Sequence, residues 1–106
     1  MKKNPEDGKI DFLLAESYLW RGGADWDEGI RIADQALAKN PLLAQATGLK
    51  GMFHLRLAMS SMRSQWQLYA GKAFEEFSQA VKQNRFLEKQ YKKYRDQAAK
   101  LAARQS

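Results

Sequence analysis

The sequence has no cysteine, one histidine and two prolines among its 106 residues. Without cysteine there can be no disulfide framework, thiolate metal site or cysteine nucleophile. No apolar run approaches the roughly 18 residues that a membrane-spanning helix needs. The opening residues, Met1-Lys2-Lys3, lead into charged residues and not into the apolar core of a signal peptide. We therefore expect a cytoplasmic protein with no metal, no cofactor and no membrane association.

The composition is that of a globular protein, with 44% hydrophobic and 28% charged residues. A chain of this length suits one domain, which we expect to span residues 1–106. The net charge of +6 is uneven: residues 1–40 sum to −2, residues 41–81 to +2 and residues 82–106 to +6. A basic final quarter is typical either of a solvated helix face or of a surface that attracts an anionic partner.

The apolar residues recur at helical spacing throughout, and no stretch alternates with the period of a strand. Turn residues at Gly22-Gly23, Asn40-Pro41 and Asn84-Arg85, with a turn near Arg63, divide the chain into five helices. We predict an all-α fold of antiparallel helical hairpins: a hairpin over 5–40, an elongated hairpin over 41–84 and a capping helix over 85–104.

Local signals refine the helix ends and faces. Asn4 and Pro5 are suited to start the first helix, and Asp25 with Glu28 forms a capping-box pattern at the second. Small residues, including Gly48 and Gly51, line one side of the third helix and would let a neighbouring helix approach closely. The last helix carries a clean apolar stripe: Leu87, Tyr91, Tyr94, Ala98 and Leu101.

Two segments resemble each other and a known repeat. The first comprises Asp25-Trp26-Asp27-Glu28-Gly29-Ile30, Ala33, Ala36-Leu37 and Asn40-Pro41, and the second comprises Ala73, Phe77, Ala80 and Asn84. Both resemble the second helix of a tetratricopeptide repeat (TPR), and Ala44-Gln45-Ala46 followed by Gly51 resembles the start of a first helix. The resemblance implies about two stacked repeats, with the final helix as a solvating cap.

The sequence departs from the tetratricopeptide pattern in several places. Gly29 stands where alanine is usual, Ala33 where an aromatic residue is usual, and Arg85 where a proline is usual. The repeat ends at Pro41 and Arg85 lie 44 positions apart, against a usual period of about 34. The additional residues would lengthen the third and fourth helices. Elongated repeats of this kind resemble those at the carboxyl ends of some bacterial serine/threonine kinases.

The resemblance implies a groove, lined by the first helix of each hairpin, that binds a peptide or helix of a protein partner. The positions that would face this groove are Leu14, Tyr18, Arg21, Gly48, Met52, Leu55 and Arg56. The alternative for Leu14, Met52 and Leu55 is a place in the core. We expect a non-catalytic scaffolding or regulatory module. The lysine and asparagine of a carboxylate clamp are absent from these positions.

Catalytic candidates are few. His54, the only histidine, takes a position that is usually an aromatic core residue, so we expect it to pack in the core. Asp25, Asp27 and Glu28 fall in the first turn of a helix, where acidic residues stabilise the positive end of the helix dipole. Gly48-Leu49-Lys50-Gly51 has the GXXG spacing of a KH loop, but its surroundings suit helix contacts better. No enzyme is indicated.

Two further surfaces remain as alternatives. A basic face on the last helix, formed by Arg85, Lys89, Lys92, Lys93 and Lys100, could bind nucleic acid; an anionic membrane surface is the weaker alternative there. Two hairpins also leave apolar edges, so the chain either forms a homodimer or is one piece of a longer protein. Phe12 and Leu19 are the exposed residues predicted for such an interface.

Overall fold

The computed structural model describes residues 8–21, 25–60 and 65–103. Within these ranges the chain forms five α-helices and no strand, which confirms the all-α prediction. The helices are α1 (Lys9–Leu19), α2 (Trp26–Lys39), α3 (Ala44–Ser60), α4 (Trp66–Gln83) and α5 (Glu88–Ala103), with a single turn of 3₁₀ helix, Arg85–Leu87, before α5.

The helix boundaries agree with the turn residues more closely than with the predicted caps. α2 ends at Lys39, directly before Asn40-Pro41, and α1 begins after Gly8, whose φ is 89°. Asn4-Pro5, Gly22-Gly23 and the turn near Arg63 lie outside the described residues. The capping-box prediction is wrong, because the Asp25 side chain makes no cap hydrogen bond. Glu28 instead binds Arg31, one turn further along.

Each helix packs against the next one in the sequence, and α3 also contacts α1 and α5. Short connections between helices that touch along their length make successive helices antiparallel. The described residues form a body of 49 × 29 × 20 Å. α1, α3 and α5 therefore lie on one side of the molecule, and α2 and α4 lie on the other.

Two hydrophobic clusters hold the helices together. One joins α1, α2 and α3 around Phe53, and the other joins α3, α4 and α5 around Phe77; both phenylalanines are fully buried. The apolar stripe predicted for α5 lies in the second cluster, with Leu87, Tyr91 and Ala98 buried and Tyr94 and Leu101 packed at its margin. The sequence thus identified the face that α5 buries.

Glycines set how closely α3 approaches its neighbours. A Cβ atom on Gly48 would overlap the ring of Tyr91 in α5, and one on Gly51 would overlap the ring of Phe77 in α4. The prediction that small residues on α3 admit a neighbouring helix is therefore confirmed. Gly48-Leu49-Lys50-Gly51 lies within this buried helix, so it is not a KH-type loop.

The turn between α2 and α3 and the turn between α4 and α5 have the same geometry, 44 positions apart. Asn40 and Asn84 each have a φ of −144°. The backbone N–H of each donates a hydrogen bond of 2.9 Å to the carbonyl of an alanine four residues earlier. The side-chain Oδ1 of each accepts a hydrogen bond of 3.1 Å from the backbone N–H two residues later. The side chain thus completes an Asx-type turn that ends one helix before the next begins.

No helix in the described residues is both long enough and apolar enough to cross a membrane.

Candidate functional site

A cavity of about 370 Å³ opens between the three helices that share one side of the molecule. Its lining comes from α1 (Phe12, Glu16, Leu19, Trp20), from α3 (Gln45, Leu49, Met52) and from α5 (Gln90, Tyr91, Tyr94). We call this cavity the groove. Residues three and four apart share one face of a helix, so each helix turns a single face towards the groove.

The groove combines aromatic surface with one carboxylate. Burial, followed by the nearby charge of Glu16, raises the pKa of Tyr91 to about 12. The phenol therefore stays protonated at neutral pH. Within the described part of the chain no cationic side chain is ion-paired with Glu16. The groove thus offers a partly buried negative charge between apolar walls.

The most accessible aromatic residue of the groove is Trp20, at the end of α1, with 74% of its surface exposed. The guanidinium carbon of Arg56 lies 5.6 Å from the centroid of the Trp20 ring, within cation–π range. This contact joins α1 to α3 at one end of the groove and holds Trp20 close to α3 while most of its surface stays open to solvent.

The structure brings together only part of the predicted groove set. Met52 lines the groove, and Arg56 contacts the ring of Trp20, which is one of the groove residues. Leu55 is 2% exposed and belongs to the core around Phe77, so its assignment to a groove surface is wrong and its alternative, a place in the core, is correct. Gly48 is also buried, beneath the ring of Tyr91.

The predicted α1 residues lie on other faces of that helix. Leu14 is 47% exposed and does not line the groove. Tyr18 packs at the margin of the cluster around Phe53, and the Arg21 guanidinium lies 4.4 Å from the centroid of the Tyr18 ring. The face of α1 that lines the groove is therefore not the predicted one, because α1 carries apolar residues on more than one face.

The predicted edge residues are also placed differently. Leu19 is 5% exposed and part of the core around Phe53, so the prediction that it forms an exposed interface is wrong. Phe12 is partly buried and lines the groove. The homodimer stays a prediction.

His54 is buried, as predicted, but it belongs to a polar network that the sequence did not reveal. Its Nδ1 lies 2.5 Å from Oε1 of Glu76 on α4, and its ring stacks on Tyr69 with centroids 6.0 Å apart. Nζ of Lys50 lies 2.7 Å from Asp34 on α2 and 3.6 Å from Glu76. The network therefore ties α2, α3 and α4 together.

The electrostatics of this network favour a structural role. Burial alone would lower the pKa of Lys50, but its hydrogen bond to Asp34 and the charges of Asp34 and Glu76 outweigh burial and raise it. The ammonium group is consequently held between two carboxylates. A shallow cavity of about 420 Å³ opens beside these residues, with Ile30, Lys72 and Glu75 at its margin.

The predicted basic face on α5 is exposed. Arg85, Lys89, Lys92, Lys93 and Lys100 all point to solvent, and four of these residues surround one open depression: Lys89, Lys92, Lys93 and Lys100. Asp96 and Gln97 share that depression, so the positive surface is interrupted by one carboxylate. Tyr91 and Tyr94 point away from it into the core and the groove, so they cannot stack bases there.

Over residues 8–21, 25–60 and 65–103 there is no group of three or more histidine or acidic side chains arranged to hold a metal ion. Comparison of the chain with protein-family models, curated proteins and solved structures found no match.

Proposed function

We propose that the chain is a non-catalytic protein-interaction module whose groove binds a peptide or helix of a partner protein. A cavity built from alternate helices, with aromatic walls, carries this proposal. Surfaces rich in tyrosine, tryptophan and methionine provide large contact areas at a small entropic cost, so they recur where proteins bind other proteins. The tetratricopeptide resemblance implies the same use of the first helix of each hairpin. It also implies a regulatory role beside a signalling enzyme, which is part of this proposal.

The charge of the groove selects among peptides. Glu16 lies between Phe12 and Trp20 on α1 and faces Tyr91 across the groove. A lysine or arginine of the partner would meet both this carboxylate and the aromatic faces, whereas an acidic residue would be repelled. The preferred partner is therefore a segment with apolar side chains around one basic residue.

Two synthetic amphipathic peptides test this proposal, each about four helical turns long. One consists of leucine and lysine, and the other has glutamate in place of each lysine. We expect the leucine–lysine peptide to bind the full chain and to change the tryptophan fluorescence, although both molecules are basic. Trp20→Phe should remove most of that change, because Trp20 is the exposed tryptophan of the groove.

Variants locate the binding site. We expect Met52→Ala and Glu16→Gln each to weaken binding of the leucine–lysine peptide by about fivefold to tenfold. Leu68→Ala is the control, since Leu68 is 59% exposed on α4 and lies outside the groove. Equal affinity for both peptides, or equal loss in Leu68→Ala, would reject the groove as the site.

The second candidate is nucleic-acid binding by the basic face. The observation that favours it is the shared exposed surface of Lys89, Lys92, Lys93 and Lys100. Phosphate contacts predict affinity for a generic RNA or DNA oligonucleotide that falls steeply with salt and is lost in the Lys92→Glu, Lys93→Glu double variant. A chain that ignores oligonucleotides at low salt would remove this candidate without affecting the groove.

A further inference from the structure

One end of the molecule is formed by the start of α1, the α2–α3 turn and the α4–α5 turn. Nζ of Lys39, at the end of α2, lies 2.7 Å from Oδ2 of Asp11 on α1. The side-chain amide of Gln83, at the end of α4, donates a hydrogen bond to the Pro41 carbonyl at 3.4 Å. These contacts hold the three segments side by side, and we call this surface the turn end.

The turn end carries the three large apolar side chains that are most exposed in the described part of the chain. Phe86 is 94% exposed, Leu42 is 82% exposed and Ile10 is 81% exposed. Leu42 and Phe86 occupy the same position in the two equivalent turns, each two residues after the asparagine. Hydrogen bonds fix the backbone of both turns, so the side chains of Leu42 and Phe86 cannot readily fold back onto the core.

The polar residues of the turn end are mainly cationic. Lys82, Arg85 and Lys89 are exposed around the Phe86 turn. The carboxylates in the first turns of α1 and α5 are each ion-paired: Asp11 with Lys39 and Glu88 with Arg95. Phe86 thus lies among exposed positive charges, and the neighbouring carboxylates of Asp11 and Glu88 are ion-paired.

We propose that the turn end is a docking surface for the headgroup region of an anionic lipid bilayer. Apolar side chains that protrude singly from three separate segments do not form the contiguous apolar patch of a protein interface. A bilayer surface accommodates them, because its acyl boundary accepts each apolar side chain while its acidic headgroups attract the lysines and arginine. This interaction goes beyond the proposed groove function and uses a different surface.

The arrangement supports reversible binding. Insertion of a few apolar side chains, combined with the attraction of each cation to an anionic surface, gives attachment that depends on both contributions. The sequence indicated an anionic membrane surface only as an alternative for the basic face, because the apolar residues at positions 10, 42 and 86 lie on the same end only in the folded chain.

Sedimentation of the full chain with vesicles tests the proposal. We expect binding to phosphatidylcholine vesicles that contain about a quarter phosphatidylserine, and about tenfold weaker binding to phosphatidylcholine alone. The Leu42→Ser, Phe86→Ser double variant should lose about tenfold or more in affinity for the mixed vesicles. Both side chains are almost fully exposed, so the variant should fold normally, which its circular dichroism would verify.

The matched control is the Leu68→Ser, Met59→Ser double variant, which replaces two exposed apolar residues outside the turn end. It should bind the mixed vesicles like the parent chain. Absence of binding to the mixed vesicles overturns the proposal. The proposal is also overturned if the double variant binds as tightly as the parent chain and added salt abolishes that binding. This result would assign the affinity to charge alone, as expected for a nucleic-acid surface.

Discussion

The ring of Tyr91 lies directly against the backbone of Gly48, in space that any larger residue at position 48 would occupy. The same ring packs on Phe77 with centroids 5.3 Å apart, so it cannot simply move aside. One close contact between α3 and α5 therefore determines how far apart these helices lie, and with it the width of the groove.

Gly48→Ala should destabilise the protein. The added methyl group must displace a buried aromatic ring, and overpacking of this kind costs about 1–3 kcal/mol. Gly71→Ala is the control, because a Cβ at Gly71 meets nothing within 4 Å. That change should stabilise α4 by about 0.5–1 kcal/mol through helix propensity. Urea unfolding of both variants measures the difference, and a neutral Gly48→Ala would show that the contact is loose.

Stability should fall as the pH rises from 10 to 12, in part because of Tyr91. Its pKa is about 12 in the folded chain against an ordinary 10, so the unfolded chain releases this proton first. A raised pKa contributes stability that is complete below pH 10 and is lost as the pH rises towards 12. The loss should be roughly 2–3 kcal/mol.

Comparison with Tyr91→Phe isolates this contribution from the titration of the lysines. The stability of the variant should decline less steeply over the same pH range, as measured by chemical denaturation at each pH. Parallel pH profiles for the two proteins would contradict the raised pKa. Glu16→Gln should lower the Tyr91 pKa slightly, since the charge of Glu16 is the smaller of the two causes.

His54 and Glu76 should be energetically coupled. Replacement of either residue removes a hydrogen-bond partner of the other in a largely buried site, which costs about 1–3 kcal/mol. A double-mutant cycle with His54→Phe and Glu76→Leu should therefore give a coupling energy of at least about 1 kcal/mol, measured by unfolding at pH 7. Additive effects of the two changes would mean that the 2.5 Å contact contributes little.

Each of the two equivalent turns should be destabilised by the loss of its asparagine side chain. Asn40→Ala and Asn84→Ala each remove a hydrogen bond to the backbone N–H two residues later, so each should cost about 0.5–1.5 kcal/mol. Gln79→Ala, on the exposed face of α4, is the control. Thermal unfolding would distinguish equal from unequal contributions.

The sequence predicted the face that α5 buries because polar residues occupy the rest of that helix, which leaves one apolar stripe. It could not predict the rotation of α1. Ile10, Leu13 and Leu14 are as apolar as the groove residues, yet all three are exposed. Periodicity locates a buried face only where the opposite face is polar.

The polar network of His54, Glu76, Lys50 and Asp34 could not be predicted from the sequence, for a different reason. His54 and Glu76 are 22 positions apart on different helices, and their contact depends on the rotation of α3 against α4. Glu16 and Tyr91 are separated still further. No local spacing in the sequence indicates that such residues lie close together. The charge of the groove therefore depends on how the helices pack, which the sequence pattern does not show.

The position of α3 has a consequence for how the molecule opens. Because α3 contacts each of the other four helices and contributes to both hydrophobic clusters, it stays packed on one side when either α1 or α5 opens locally. Repeat proteins whose units touch only their neighbours can unravel from one end. Here the amide hydrogens of α3 should exchange with solvent only when the whole domain unfolds, while those of α1 exchange through local opening.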